Sequence, residues 1–219
     1  MKLTFTSFDI RTTVAELQKS IVGLRVNQIY DIDHKTYLLK LHKPEHKDVL
    51  LIESASRLHT TSYEWPKSPA PSGFSMKLRK HLRNKRLESV QQLGADRVVQ
   101  LTFGSGPAQH HLIIELYDRG NITLTDANYT ILIILRPRTD AEETRLAAHE
   151  VYPLNNMRVV RDPPSLEQIA AALRGAKPAL NVKKVLNPLL DCGGGVLEHE
   201  LTLAGLSGCT ASAVSPEQL

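Results

Sequence analysis

The sequence predicts an α+β fold in which a largely antiparallel sheet or sandwich is flanked by helices and followed by a helical region. Three observations carry this reading. Short segments rich in β-branched and aromatic residues recur between residues 25 and 135, separated by turn residues. Helical periods stand at Ile10, Val14, Leu17 and Ile21 and again at Phe74, Leu78 and Leu82. Near Arg136 the composition changes to charged and proline-broken stretches, beyond which helix signals dominate. A chain of 219 residues suffices for one large or two small domains.

The first helix is predicted to begin near Asp9, which can cap or flank its positive end, and to stop at Gly23. Strands follow at Arg25–Ile32, Lys35–Leu41 and Asp48–Glu53, the last two separated by a loop at Pro44. Three prolines between Trp65 and Pro71 oppose regular structure, and Ser72 is placed to cap the next helix. Arg97–Phe103, His111–Tyr117, Asn121–Thr125 and Tyr129–Leu135 read as strands, with Asp118–Asn121 as a turn. The charged stretch Arg138–Glu150 reads as a helix leaving the sheet, and Tyr152–Pro164 as a connection. Ser165 and Gln168 have capping-box spacing. Further helices are expected over Ala179–Leu190 and Val196–Leu203, joined by a tight connection at Gly193–Gly195.

Met76–Arg86 holds six Lys or Arg side chains in eleven residues and no acid, while the net charge of the whole chain is only +4. The positive signal is therefore local. Lys77, Arg79, Lys80, Arg83, Lys85 and Arg86 are candidate phosphate contacts for RNA or another polyanion. The competing reading is a solvated face of a helix docked through Leu78 and Leu82. Two cysteines, Cys192 and Cys209, establish no disulfide framework and favour a reducing compartment. No zinc-ligand pattern, phosphate loop or nucleophile triad is present, so neither metal nor cofactor is expected. The start lacks the apolar run of a secretory signal and no stretch has the length of a membrane span, so a soluble intracellular protein is expected. His110 and His111 are adjacent, which on a strand sends them to opposite faces and argues against joint metal binding. Trp65 is a candidate for base stacking or for packing within its loop.

Several longer strings sharpen the reading: Arg25–Asp33, Lys35–Leu38, Met76–Leu82, Gln92–Arg97, Glu115–Asn121 and Leu186–Leu190. Through them the chain resembles the amino-terminal part of the eukaryotic nuclear export mediator factor family, also called ribosome quality control complex subunit 2 and, in flies, Caliban. The resemblance implies a formamidopyrimidine-DNA-glycosylase-like β-sandwich with flanking helices over residues 1–150. It also implies a helix-hairpin-helix-like region over residues 160–219, expected to be cut short. Glycosylase activity does not carry over. Those enzymes begin with a nucleophilic proline followed by glutamate, whereas this chain has Lys2 and Leu3.

The function implied is that of a ribosome-associated quality control factor rather than an enzyme. Its expected partners are the large ribosomal subunit carrying stalled peptidyl-tRNA, the incoming tRNA and, in the full-length complex, the listerin ubiquitin ligase. It would support carboxy-terminal tailing without mRNA, the ribosome supplying the bond chemistry, and would work in the cytoplasm with a nuclear presence as well. A protein-interaction scaffold in nuclear export is the alternative, and matrix binding, as in bacterial relatives, a third. Asp96 and Arg97 form the family motif tied to tRNA recognition. Spacing alone reads them as a turn before a strand, but the resemblance favours RNA. Asp9 matches a position tied to tailing, either as a helix cap or as an RNA contact, the latter opposed by phosphate repulsion. Lys2 and Arg25 are further candidates for a positive surface.

Overall fold

The computed structural model describes residues 5–139, 145–160, 162–190 and 192–214. They fall into two compact units, residues 1–157 and 158–219. Each has its own apolar cluster.

The first unit opens with helix α1 (Ser7–Ser20), whose Ile10, Val14 and Leu17 are buried at the period the sequence showed. Its start lies two residues before Asp9. Thr6 is the N-cap and Asp9 the third helical residue, reciprocally bonded in a capping box. Four antiparallel strands follow in meander order: β1 (Arg25–Asp31), β2 (Thr36–Lys43), β3 (His46–Glu53) and β4 (Arg57–Thr60). Pro44 and Glu45 form the turn between β2 and β3, with Glu45 at φ 64°. Helix α2 (Gly73–Leu82) is capped by Ser72, which accepts from the Ser75 amide.

The second sheet is another antiparallel meander, formed by β5 (Leu87–Gln92), β6 (Val98–Phe103), β7 (His110–Glu115), β8 (Asn121–Asp126) and β9 (Ile131–Ile134). Strands β4 and β5 carried too little apolar alternation to be legible in the sequence. In β5 an irregularity between Leu87 and Ser89 shifts the side-chain phase, which hides the period.

One core takes side chains from both sheets and both helices. Val26, Leu39, Leu41, Leu50 and Ile52 from the first sheet meet Val99, Leu101, Phe103, Leu112 and Leu124 from the second, with α1 and α2 adding Leu17, Leu78 and Leu82. Alternation sends the other face of the second sheet outward, yet β6 is buried along its whole length. A cover accounts for this: Ile131, Ile134, Leu146 and Tyr152 pack with Val98 and Ile113.

That cover corrects the helix expected over Arg138–Glu150. The described part holds two short antiparallel strands, β10 (Arg138–Thr139) and β11 (Arg145–Leu146), and the intervening residues lie outside the described ones. The chain stays on the sheet because Leu146 is buried there and Arg138 binds the buried Glu115 at 2.9 Å. Tyr152 also donates to Glu115, at 2.9 Å, so this carboxylate sits between a cation and a hydroxyl. Burial and the Glu115 charge push the Tyr152 phenol well above its ordinary value.

The second unit contains α3 (Leu166–Gly175), capped by Ser165 and Gln168 as their spacing predicted. Next come α4 (Val182–Leu186) and α5 (Gly194–Leu203). Helix α4 is far shorter than the expected Ala179–Leu190. Asn181 caps it by accepting from the Lys183 amide, and Pro188 offers no amide to continue it. Gly193, at φ 81°, is the N-cap of α5, while Gly194 and Gly195 lie within the helix. Leu173, Val182, Leu186, Leu197 and Leu201 form this unit's core. Lys183 bridges α4 to Glu198 of α5 at 2.7 Å. Cys192 and Cys209 are both free thiols.

Besides the shared core, a turn of one sheet is crowded against a turn of the other. Gly120, at φ +65° in the β7–β8 turn, lies against the Ser54–Ala55 turn that joins β3 to β4, and a Cβ there would overlap the Ala55 backbone, with Ser54 Oγ 2.6 Å away. Arg136 donates to Ser54 Oγ at 2.8 Å and to the Gly120 carbonyl at 3.2 Å. Gly120→Ala is expected to destabilise the protein by roughly 3 kcal/mol or more, since left-handed strain adds to a backbone clash. Urea denaturation measures this, and an unchanged midpoint would show that the turn can move aside.

Candidate nucleic-acid interface

The residues singled out for tRNA recognition lie on two segments, the first turn of α1 and the β5–β6 turn, that are bonded together at one end of the second sheet. Asp96 and Arg97 lie in the turn between β5 and β6. The first turn of α1 is bound to that turn: Ser7 Oγ donates to the Ala95 carbonyl at 2.8 Å. Gln92 Nε2 donates to Ser7 Oγ at 3.1 Å and to the Asp96 carbonyl at 2.8 Å, clamping the turn from its base. Arg97 Nη1 reaches the Phe5 carbonyl at 3.5 Å, and its own carbonyl accepts from the Leu116 amide at 2.8 Å. Asp9 belongs to the same neighbourhood, its carboxylate accepting from the Thr6 amide and hydroxyl, each at 2.6 Å.

Asp9, Asp96 and Arg97 are all half-buried, so each keeps part of its surface toward solvent. Two carboxylates beside one guanidinium repel phosphate more than they attract it. Such a group is suited to reading a base edge, where Arg donates in a fixed fork and Asp accepts from an exocyclic amine. Sequence reasoning missed Ser7 and Gln92, which hold the turn in place. The Ser7 contact spans 88 positions, so no local pattern could have announced it. Phe8 was also missed. It is 48% exposed in the same first turn of α1, where an apolar helix position would normally face the core.

The basic residues do not join this group. Lys77 and Lys80 are exposed on α2. Arg79 turns inward instead: its Nε donates to the Ile29 carbonyl at 2.7 Å, Nη2 donates to the same oxygen, and the guanidinium carbon lies 5.6 Å from the Tyr30 ring centre. The helix ends at Leu82, so Arg83, Lys85 and Arg86 are not spread around its circumference as expected. The chain leaves the helix because it pairs with β1: the Asn84 amide bonds the Val26 carbonyl at 2.8 Å and the Val26 amide the Lys85 carbonyl at 2.9 Å. Arg83 is exposed, and Arg86 lies 3.8 Å from Glu88. Lys85 Nζ donates to the Ala108 carbonyl and stands 3.1 Å from His110 Nδ1.

Strand register shows how far apart the two sets are. Leu87 pairs with Phe103 at one end of β5 and Gln92 with Val99 at the other. Lys85 and Arg86 precede the first pair and Asp96 and Arg97 follow the second. A six-residue strand, about 20 Å long, therefore separates them.

His110 and His111 point to opposite faces, as adjacent strand residues should. His110 lies 5.2 Å from the His81 ring, whereas His111 stacks on Tyr129 at 4.4 Å beneath the cover. Among the described residues no group of three His, Cys, Asp or Glu is placed to hold a metal ion. No described helix is long and apolar enough to cross a membrane. Lys2 and Leu3, at the position of the glycosylase nucleophile, lie outside the described residues.

Residues 6–192 match the model of the NFACT N-terminal and middle domains, and the chain belongs to that family. It is 51% identical over 209 residues, 95% of its length, to the human protein named ribosome quality control complex subunit NEMF. It is 53% identical over 208 residues to the Drosophila melanogaster protein named as the NEMF homolog, across 94% of its own length. The chain spans only 19% of the human relative and 21% of the fly relative. Among solved structures it is similar to the N-terminal domain of the fibronectin-binding protein PavA from Streptococcus pneumoniae, with a TM-score of 0.70 and 24% identity, over 93% of this chain and 86% of that one. That likeness establishes a shared mixed α+β fold with antiparallel sheets.

Burial lowers the His81, His110 and His111 pKa values below the ordinary 6.5, and neighbouring cations reinforce the shift at His81. The unfolded chain then binds more protons than the folded one as pH falls through 6.5. Stability from these three histidines is complete above that value and is lost below it, until their lowered folded pKa values are passed. Thermal unfolding is therefore expected at a lower temperature at pH 5.5 than at pH 7.5. A double His81→Asn, His110→Asn variant should show a shallower pH dependence, and an equally steep one would place the acid sensitivity elsewhere.

Proposed function

We propose that this chain is an RNA-binding module of ribosome-associated quality control, contacting tRNA and the large ribosomal subunit that carries stalled peptidyl-tRNA. The carrying observation is that Ser7 and Gln92 clamp the turn bearing Asp96 and Arg97 to the first turn of α1, which bears Asp9, although the two segments are almost ninety positions apart. The names of the human and fly relatives support the process. In this reading Arg97 and Asp96 contact a base edge of the incoming tRNA, while Asp9 holds the helix that supports the turn. The exposed Lys77, Lys80 and Arg83 contribute phosphate contacts elsewhere, and the inward-facing Arg79 holds α2 on β1.

The module positions RNA and is not an enzyme, the peptide bond being made by the ribosome during mRNA-independent carboxy-terminal tailing. Within the longer protein it supports listerin recruitment and acts in the cytoplasm, with a nuclear presence as well. The glycosylase-like sandwich and the helix-hairpin-helix character of the second unit belong to the same reading.

The test uses the full-length protein with Asp96→Ala or Arg97→Ala, on reconstituted large subunits carrying peptidyl-tRNA. Incoming-tRNA occupancy is expected to weaken about tenfold or more, the scale of one lost bidentate base contact, while subunit binding persists. Unchanged occupancy would remove both residues from tRNA recognition. Loss of subunit binding alone would favour a ribosome- or protein-docking role for this surface.

A further inference from the structure

The outer face of the first sheet carries a second feature that the clamped turn does not use. Residues 61–71 leave β4, cross this face and are tied to the far edge, where the Ser68 amide bonds the Asp31 carbonyl at 2.9 Å and the Ser72 amide bonds the Asp31 carboxylate at 3.0 Å. Between this segment and the sheet lies an open groove of about 480 Å³. Its floor includes Leu38 and Val49, and its rim carries Lys40, Lys47 and Lys67.

Aromatic rings line the same groove. Tyr63 and Trp65 meet edge to face, with ring centres 5.4 Å apart. Thr61 positions both, accepting from the Tyr63 amide at 3.2 Å and from Trp65 Nε1 at 3.3 Å. Arg57 lies 5.6 Å from the Trp65 ring centre. Tyr63 is 68% exposed, a large aromatic surface held open by its backbone rather than folded inward. Close by, Lys40, Lys67 and Arg79 all stand within 5.2–5.6 Å of the Tyr30 ring. Of the two acids lining the groove, Asp48 is bonded to His46 at 2.8 Å and Glu64 is exposed.

Held aromatic faces between lysines are the arrangement that unpaired nucleic acid uses: bases stack on rings of any sequence while phosphates follow the cations. An acidic peptide would use the lysines but leave the ring faces idle. We propose that this groove is a second RNA-contact site, which takes an unpaired segment with a base on Tyr63 and Trp65 and its phosphates on Lys40, Lys47 and Lys67. This deepens the RNA-binding reading above and rests on it. The site is distinct from the Asp96–Arg97 turn because its residues come from β2, β3, the end of β4 and the segment after it.

Trp65 is the chain's one tryptophan, so its fluorescence reports on the groove directly. An eight-nucleotide oligouridine should quench it saturably, with a log–log salt slope of about −2 for three neutralised phosphates. Tyr63→Ala, which removes an exposed ring and leaves the core intact, should weaken binding by about tenfold. Lys40→Gln with Lys67→Gln should flatten the salt slope, and Arg97→Ala should leave the quench unchanged. The proposal is overturned by absence of quenching, by equal competition from inorganic polyphosphate, by tighter binding of an octaglutamate peptide, or by loss of the quench in Arg97→Ala. Quenching that persists while Arg97→Ala and Asp96→Ala leave tRNA occupancy intact would keep the groove and remove only the turn. The converse pattern would remove only the groove.

Discussion

The approach of Gly120 to the Ser54–Ala55 turn is the constraint on which the first unit depends. It is where the first sheet's β3–β4 turn meets the second sheet's β7–β8 turn, and the Ala55 amide bonds the Glu115 carbonyl across it at 3.2 Å. Only a residue without a Cβ fits. The consequences reach the candidate interface through a short run of bonds. The next residue, Ser56, accepts from the Phe5 amide at 3.0 Å, and the Phe5 carbonyl is the one that Arg97 reaches. Phe5 leads directly into the Thr6 cap of α1. A crowded turn with no chemistry of its own thus sets the position of the helix end that carries Asp9.

The outer faces of the two sheets are used in different ways. On the second sheet a polar row is buried under the cover: Gln100 and Thr102 lie within hydrogen-bond distance of His111, at 3.2 and 3.1 Å, and Glu115 is closed off by Arg138 and Tyr152. Most of these buried groups are partnered, which makes their burial tolerable, and Gln100 Oε1 is the exception within the row. On the first sheet the crossing segment leaves cations and rings at the surface. One face has become interior, and the other keeps an open groove at the surface.

Charge is divided just as sharply. The acids and Arg97 gather at one end of β5, while Lys85, His110 and His81 crowd the other, where burial, reinforced by neighbouring positive charge, lowers the histidine pKa values. The run of positive residues that dominates the sequence is dispersed by the fold. Arg79 is committed to a backbone carbonyl and Lys85 to Ala108, which leaves the exposed Lys77, Lys80 and Arg83 facing solvent.

Periodic and local signals were legible without a structure. The α1 stripe, the Ser72 and Ser165 caps, the strands β1 to β3 and β6 to β9 and the turn at Gly120 all depend on neighbours within a few residues, where steric and hydrogen-bonding preferences act directly. Misreadings occurred where a distant partner prevails over local pattern. Arg138–Glu150 looks helical by charge, yet among its described residues Arg138 is bound to Glu115 and Leu146 is buried against the sheet. Arg83–Arg86 looks like more of a basic helix, yet its backbone belongs to β1. The motif residues Asp96 and Arg97 could be picked out by resemblance, but the docking of their turn on the first turn of α1 rests on the Ser7–Ala95 bond across 88 positions. The sequence alone determined most of the helices and strands, those with a clear local period or cap, and which residues carry charge. Only the tertiary structure decided which charges face solvent and which side chains meet, because both depend on long-range packing that no local pattern encodes.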